Sequence, residues 1–438
     1  MAMKIFKRDF YVSQLLVASQ HHRILIVTGL RKVGKSTLIK ELFLPKYKEI
    51  NSIQDSHIII ENISSWKKSD RTIEHLEDLF ESKIQDEKEY VVFLDEIQMV
   101  DGDYPTYLRE VSANKPNVLI CLSGSNSHGL STDISKAFSD SAFSVPVFPL
   151  SYKEILSIFP DYPFSLYFKY GGLPDRINRL SVNANDISRK NYLDDILEKA
   201  YIKDIYDHDK ALAPLGLDKV RNILEHFSSH ITTELSIRKA IQRVCEDYQK
   251  SRSRVLTREG RDSINSAFSN LISDYEKSYL AYIFEEEKLS LCSSEEPGYK
   301  EQRKLYISDQ GLLNRLSSGS DKFSENLLEN LVYLELKRAG YKPKGLDLSF
   351  EKDGKRKNGQ IDFAFQNNLN RKVYIQVVYN FSDLNYDREI SSLDALPSGI
   401  KIIVFFEENL LIKKVPDNIF AIRIETFCKQ INSLLDAE

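Results

Sequence analysis

Gly29-Leu30-Arg31-Lys32-Val33-Gly34-Lys35-Ser36 follows the apolar run Ile24-Leu25-Ile26-Val27 and fits G-x-x-x-x-G-K-[ST] at every fixed position. The pattern has a physical basis. Glycines let backbone N–H groups turn inward around an anion, where a Cβ would obstruct them. A helix opening near Lys35 adds the positive end of its dipole. Lys35 brings a flexible point charge to β- and γ-phosphates, and the Ser36 hydroxyl is a ligand for Mg²⁺. Strand before and helix after are the context the motif requires, so Gly29 to Ser36, with Thr37 beside them, are read as a Walker A loop for ATP.

Working outward, Val91-Val92-Phe93-Leu94-Asp95-Glu96 reads as the matching Walker B segment. Four apolar residues make a buried strand, and the acid that follows emerges at its carboxyl end, where parallel sheets bind ligands. Asp95 is expected to hold Mg²⁺ through water, and Glu96 to orient and deprotonate the attacking water. An adjacent Asp-Glu pair suits water attack better than transfer to a second substrate, which disfavours a kinase. A third run, Val118–Leu122, leads into Ser123-Gly124-Ser125-Asn126, where Ser125 or Asn126 is the candidate sensor of the γ-phosphate.

Short apolar runs at Ile24–Thr28, Tyr90–Leu94 and Val118–Leu122 suit parallel strands buried on both faces. Helical periodicity at Thr37–Phe43 and Ile73–Ile84 fills the gaps, giving a three-layer α/β nucleotide-binding domain over residues 1–150. Residues 151–210 read as a helical lid, with helices at Ser151–Phe159 and Asn191–Asp207 flanking Gly171-Gly172-Leu173-Pro174. Residues 211–320 read as helices followed by strand pieces at Leu280–Phe284 and Lys304–Ile307, the order of a winged helix. Residues 321–438 begin with a helix at Ser324–Ala339 and return to α/β, with strands at Gln360–Phe365, Val373–Val378 and Lys401–Phe406.

The length of 438 residues suggests roughly two to four domains. A composition 42% hydrophobic and 28% charged excludes a disordered or fibrous chain, and a net charge of -4 excludes one that is basic all over. Cys121, Cys245, Cys292 and Cys428 form no CxxC pair and read as reduced, buried thiols. No apolar run approaches the ~18 residues of a membrane span, and the charged MAMKIFKRDF start is unlike a signal peptide. A cytoplasmic location is the expectation.

With these segments in hand the chain resembles the prokaryotic AAA-type ATPases whose C-terminal half is a domain of unknown function. The resemblance rests on GLRKVGKST, LDEIQ (Leu94 to Gln98) and LSGSN, then PLSYKEIL (Pro149 to Leu156) and YGGLPDR (Tyr170 to Arg176). It continues through KLYISDQGL (Lys304 to Leu312), ENLVYLELKRAGY (Glu329 to Tyr341), GQIDFAF (Gly359 to Phe365) and YIQVVYN (Tyr374 to Asn380). It implies an ATPase core, a helical and winged-helix middle, and a C-terminal restriction-endonuclease-like fold similar to PD-(D/E)xK nucleases.

Two departures stand out. Such proteins usually carry a Gly-Arg pair before the PLS segment, whereas Ala137 to Ser144 contain no arginine. Arg31 and Arg176 are the remaining candidates for an arginine contact to phosphate. A nuclease of the implied class needs a helical acid, a strand Asp and an acid-x-Lys element. Glu329 and Asp362 match the first two, but the third reads Gln376-Val377-Val378, so the resemblance implies an inert, reused fold.

Lys250, Arg252, Arg254, Arg258 and Arg261 cluster ahead of a helical stretch through Ile264, Phe268 and Leu271, a candidate DNA contact of the winged-helix region. His226 and His230 share a helical spacing but lack a third ligand, and read as ordinary histidines. The expectation is an ATP-hydrolysing, Mg²⁺-assisted switch, with a protein partner possible at the C-terminal domain. The alternatives are a nucleotide-gated DNA- or protein-binding module with little turnover and, third, a metal-dependent nuclease.

Overall fold

The computed structural model describes residues 4–124, 138, 141–180, 184–208, 216–228, 266, 270–291, 302–317 and 323–436, apart from 353, 383–384 and 410–411. Two sheets organise it. The first has five parallel strands: β1 (Ile24–Thr28), β2 (Ile58–Asn62), β3 (Tyr90–Asp95), β4 (Val118–Ser123) and β5 (Ala142–Pro146), in the order β2-β3-β4-β1-β5. Every residue of β1, β3 and β4 is buried, as uninterrupted apolar runs demand when helices cover both faces. The edge strands β2 and β5 are only half covered, with Ile60 exposed. This is the P-loop α/β architecture that the sequence implied.

Local chemistry fixes the helices around the sheet. Asp103 caps Tyr104–Asn114, with a proline in its first turn. Ser151 and Glu154 form a reciprocal capping box that starts Tyr152–Leu156. The expected helix at Asn191–Asp207 lies within a longer rod, Asp186–Ile196, which passes through a π turn at Leu197–Ile202 into Lys203–His208.

The second sheet has seven strands. They are β6 (Ala281–Ser290), β7 (Gln302–Ile307), β8 (Lys344–Lys352), β9 (Lys355–Gln366), β10 (Lys372–Val378), β11 (Ile400–Phe405) and β12 (Phe420–Arg423), in the order β12-β11-β10-β9-β8-β6-β7. β6 and β7 are the antiparallel hairpin read from the sequence as a wing. They are not a free wing, because β6 also pairs in parallel with β8, from Glu286↔Gly345 to Ser290↔Ser349. The pairing therefore crosses the boundary expected at residue 320. The polar run Glu285-Glu286-Glu287 concealed the full length of β6, since partner choice between distant strands leaves little local trace.

One buried apolar cluster runs from the P-loop side of the first sheet through the middle helices to Phe323–Arg338 and one face of the second sheet. A separate cluster fills the other face of each sheet. Among the described residues no helix is long and apolar enough to cross a membrane. Cys121 and Cys428 are buried free thiols; Cys245 and Cys292 lie outside the described residues, as do Lys250 to Arg261 and His230.

Candidate nucleotide site

The loop after β1 owes its path to three left-handed positions: Gly29 (φ 131°), Lys32 (φ 65°) and Gly34 (φ 95°). Gly29 admits no side chain, because a Cβ there would lie 2.2 Å from the Val147 carbonyl oxygen. Leu30 and Val33 are buried in the core and anchor the loop from beneath. Lys35 is 6% exposed. Its ammonium donates to the carbonyls of Gly29 (2.9 Å) and Leu30 (3.0 Å), the loop's own acceptors. Burial pulls its pKa down to about 8, against the opposing pull of Glu96 and Asp95.

Asp95 is the meeting point. The parallel register aligns it with Asn62 on β2 and Ser123 on β4, so the carboxyl ends of the strands come level. The Ser36 hydroxyl donates to Asp95 Oδ1 at 3.0 Å, and the Ser123 hydroxyl donates to the same oxygen. Lys40 places its ammonium 3.8 Å from Oδ2. A serine hydroxyl beside a carboxylate is a hard-oxygen donor set of the kind Mg²⁺ takes together with phosphate oxygens, so these residues fit that ion.

Glu96 takes a left-handed backbone conformation (φ 58°), and the Gln98 amide donates to its Oε2. That contact fixes the direction of the carboxylate. Ser123 escaped the sequence reading, which looked two residues further on. Ser125 and Asn126 lie outside the described residues.

Contacts from beyond residue 150 reach the loop. Tyr201 donates from its phenol to the Arg31 carbonyl at 2.9 Å, and the Arg31 guanidinium pairs with Asp204 at 3.6 Å. Arg176, the other arginine candidate, is fully buried. It donates to the Gly171 carbonyl (2.6 Å) and to the Tyr162 hydroxyl (3.3 Å), so it braces the Gly171-Gly172 turn instead of facing phosphate. That turn is tied to the distant KLYISDQGL segment: the Gly172 amide donates to Asp309 Oδ2 at 2.7 Å, while Asp309 Oδ1 caps Gln310–Leu316.

Beside the second sheet Glu329, from the helix Phe323–Arg338, and the strand residues Asp362 and Gln376 line one cavity. Lys304, from β7, lines it too.

Comparison with known proteins places a family match on the segment that carries the phosphate loop. Residues 21–156 match a family model described as an AAA domain, a span holding all five strands of the first sheet, the phosphate loop and the acidic pair. The match supports ATP binding by this segment. Over its length the chain is similar to an uncharacterized protein of Haemophilus influenzae, 25% identical over 405 residues that cover 89% of this chain and 90% of the relative. It is also similar to an uncharacterized protein of Methanocaldococcus jannaschii, 24% identical over 453 residues covering 97% and 91%. Among solved structures, a Walker-type ATPase of Pyrococcus abyssi aligns with 71% of this chain and 96% of its own, at 15% identity and a TM-score of 0.45.

Proposed function

We propose that the protein is an AAA-type ATPase that works as a nucleotide-dependent switch. The observation that carries the reading is the convergence of Ser36 and Ser123 on Asp95, beside a buried Lys35. In this reading the ammonium of Lys35 leaves the Gly29 and Leu30 carbonyls and turns to the β- and γ-phosphates of ATP. Ser36 and Asp95 would hold Mg²⁺, which when bound neutralises phosphate charge. Glu96, aimed by Gln98, accepts the proton of the attacking water. The state of the loop is felt by Tyr201 and Asp204 through Arg31, and the Gly172–Asp309 link carries movement of the middle helices toward the second sheet.

ATP turnover by the purified protein, compared with Lys35→Ala and Glu96→Gln, tests the proposal. Hydrolysis that persists in both variants would overturn it.

A second reading, a nucleotide-gated DNA- or protein-binding module with little turnover, is favoured by Arg176. Its side chain is enclosed, and Ala137 to Ser144 offer no replacement. Tight ATP retention without phosphate release selects that reading. A gel-shift series with Arg254 and Arg258 replaced shows whether DNA is the partner.

A further inference from the structure

A different cavity, with a volume of about 510 Å³, lies where the first-sheet part of the chain meets its last third. That is the size of a small-molecule site. Helices wall it from both parts: Asp9–Ala18 and Tyr152–Leu156 on one side, Phe323–Arg338 and Ile424–Leu435 on the other. It shares no residue with the phosphate loop or with the cavity beside the second sheet.

Asp9–Ala18, a helix of 10 residues, begins without a side-chain cap. Arg8 stands at its N-cap position but sends its guanidinium to the Phe148 carbonyl at 2.9 Å. The first-turn amides of Asp9, Phe10 and Tyr11 have no acceptor within the helix, so its positive end stays open. All three residues line the cavity.

The carboxylates that line it are engaged elsewhere. Asp9 lies 3.9 Å from the Lys46 ammonium. Glu154 accepts from the Ser151 amide at 2.7 Å and pairs with Arg8 at 3.6 Å. Glu335 Oε1 accepts from the Tyr167 hydroxyl at 3.1 Å and from Arg338 Nη1 at 2.7 Å. The cations are not matched in the same way. Lys7 and Lys153, both exposed and both lining the cavity, have no ion-pair partner among the described residues.

Arg338 is the group that points to a ligand. Its side chain lines the cavity and is only 9% exposed. Nη1 donates to Glu335 and to the Tyr167 hydroxyl, but Nε is buried with no acceptor among the described residues. Across the Glu154 carboxylate, Arg8 also keeps Nη2 buried and unpaired. A buried guanidinium N–H without an acceptor is unfavourable, and an oxyanion supplies one. An open helix N-terminus, a guanidinium and two unpaired ammonium groups are together the donor set that recognises phosphate.

We propose that this cavity binds a phosphate-bearing small molecule, with Arg338 and the first turn of Asp9–Ala18 holding the phosphate and Lys7 and Lys153 adding charge at the rim. Its walls belong to both parts of the chain, so a bound molecule ties the first sheet's surroundings to the helices that flank the second sheet. The site is that of an effector, and it stands whether or not the protein hydrolyses ATP.

Calorimetric titration of the full-length protein with inorganic pyrophosphate, without divalent cations, tests this. The Lys35→Ala background weakens the phosphate loop and leaves the second site to be read; there, one pyrophosphate per chain is expected. Adding Lys7→Glu and Lys153→Glu, at exposed positions, is expected to weaken that binding tenfold or more. Lys67→Glu with Lys68→Glu, exposed but not lining the cavity, is expected to leave it unchanged. Arg338→Gln is expected to abolish it; if circular dichroism shows that variant unfolded, the two lysine pairs carry the test. Absence of binding in Lys35→Ala overturns the proposal. So does equal binding with and without the Lys7 and Lys153 changes, or an equal loss from the remote pair.

Discussion

The phenol of Tyr201 donates to the backbone carbonyl of Arg31, tying a π turn near residue 200 to the middle of the phosphate loop. A single hydrogen bond of this kind contributes about 0.5–1.5 kcal/mol net. Tyr201→Phe keeps the ring and its packing, so the fold should survive with a loss of that size in urea denaturation. If the contact reports nucleotide state, ATP affinity should change by roughly two- to tenfold, the same energy expressed at the loop. An affinity identical to wild type would make the bond purely structural.

Lys35 and Glu96 should separate binding from turnover. Lys35→Ala removes the charge directed at phosphate and should weaken ATP binding by at least about tenfold. Glu96→Gln keeps shape and polarity but cannot take a proton, so it should retain ATP and slow phosphate release by about 10²–10⁴-fold. Nucleotide titration and a phosphate-release assay on the same preparations read both effects.

The lowered pKa of Lys35, about 8, makes ATP affinity depend on pH. The protonated ammonium is the form that meets phosphate. Affinity should hold up to about pH 8 and then fall by about tenfold per unit as the free protein loses that proton. Stability moves the other way. Between about 8 and the ordinary lysine value of 10.5 the unfolded chain binds more protons than the folded one, so this group makes folding more favourable as pH rises. Lys35→Met should flatten both profiles, as measured by ATP titration and urea denaturation from pH 7 to 10.

Asp309 should matter to the fold out of proportion to its size. It accepts from Gly172 and caps Gln310–Leu316, all in the buried interior. Asp309→Ala leaves the Gly172 amide without its acceptor and the helix without its cap, together about 2–4 kcal/mol of lost stability. Denaturant midpoints measure this; a change below about 1 kcal/mol would mean that another acceptor takes over.

The phosphate loop was legible because its function is written in local backbone chemistry: glycine where φ is positive, lysine and serine at a helix start. β1, β3 and β4 were legible because both faces are buried and their sequences are unbroken apolar runs. β2 and β5, at the edges, are only partly buried and carry less signal. The role of Arg176 depends on a fold around it that no motif encodes. Ser123 was overlooked for a different reason, since its partner Asp95 becomes its neighbour only through strand register. The pairing of β6 with β8 joins residues far apart in the chain, and so does the placing of Lys304 beside Glu329.

The shared sheet also bears on how this chain can be divided. A fragment cut at residue 321 would lose β6 and β7 and expose the flank of β8, a ready template for another molecule's strand. Such a fragment is expected to aggregate, whereas one beginning before Leu280 keeps the flank covered. Gene fusion or exchange at the later point would yield a broken sheet, so the last third of the protein is heritable as a working piece only together with the hairpin that precedes it.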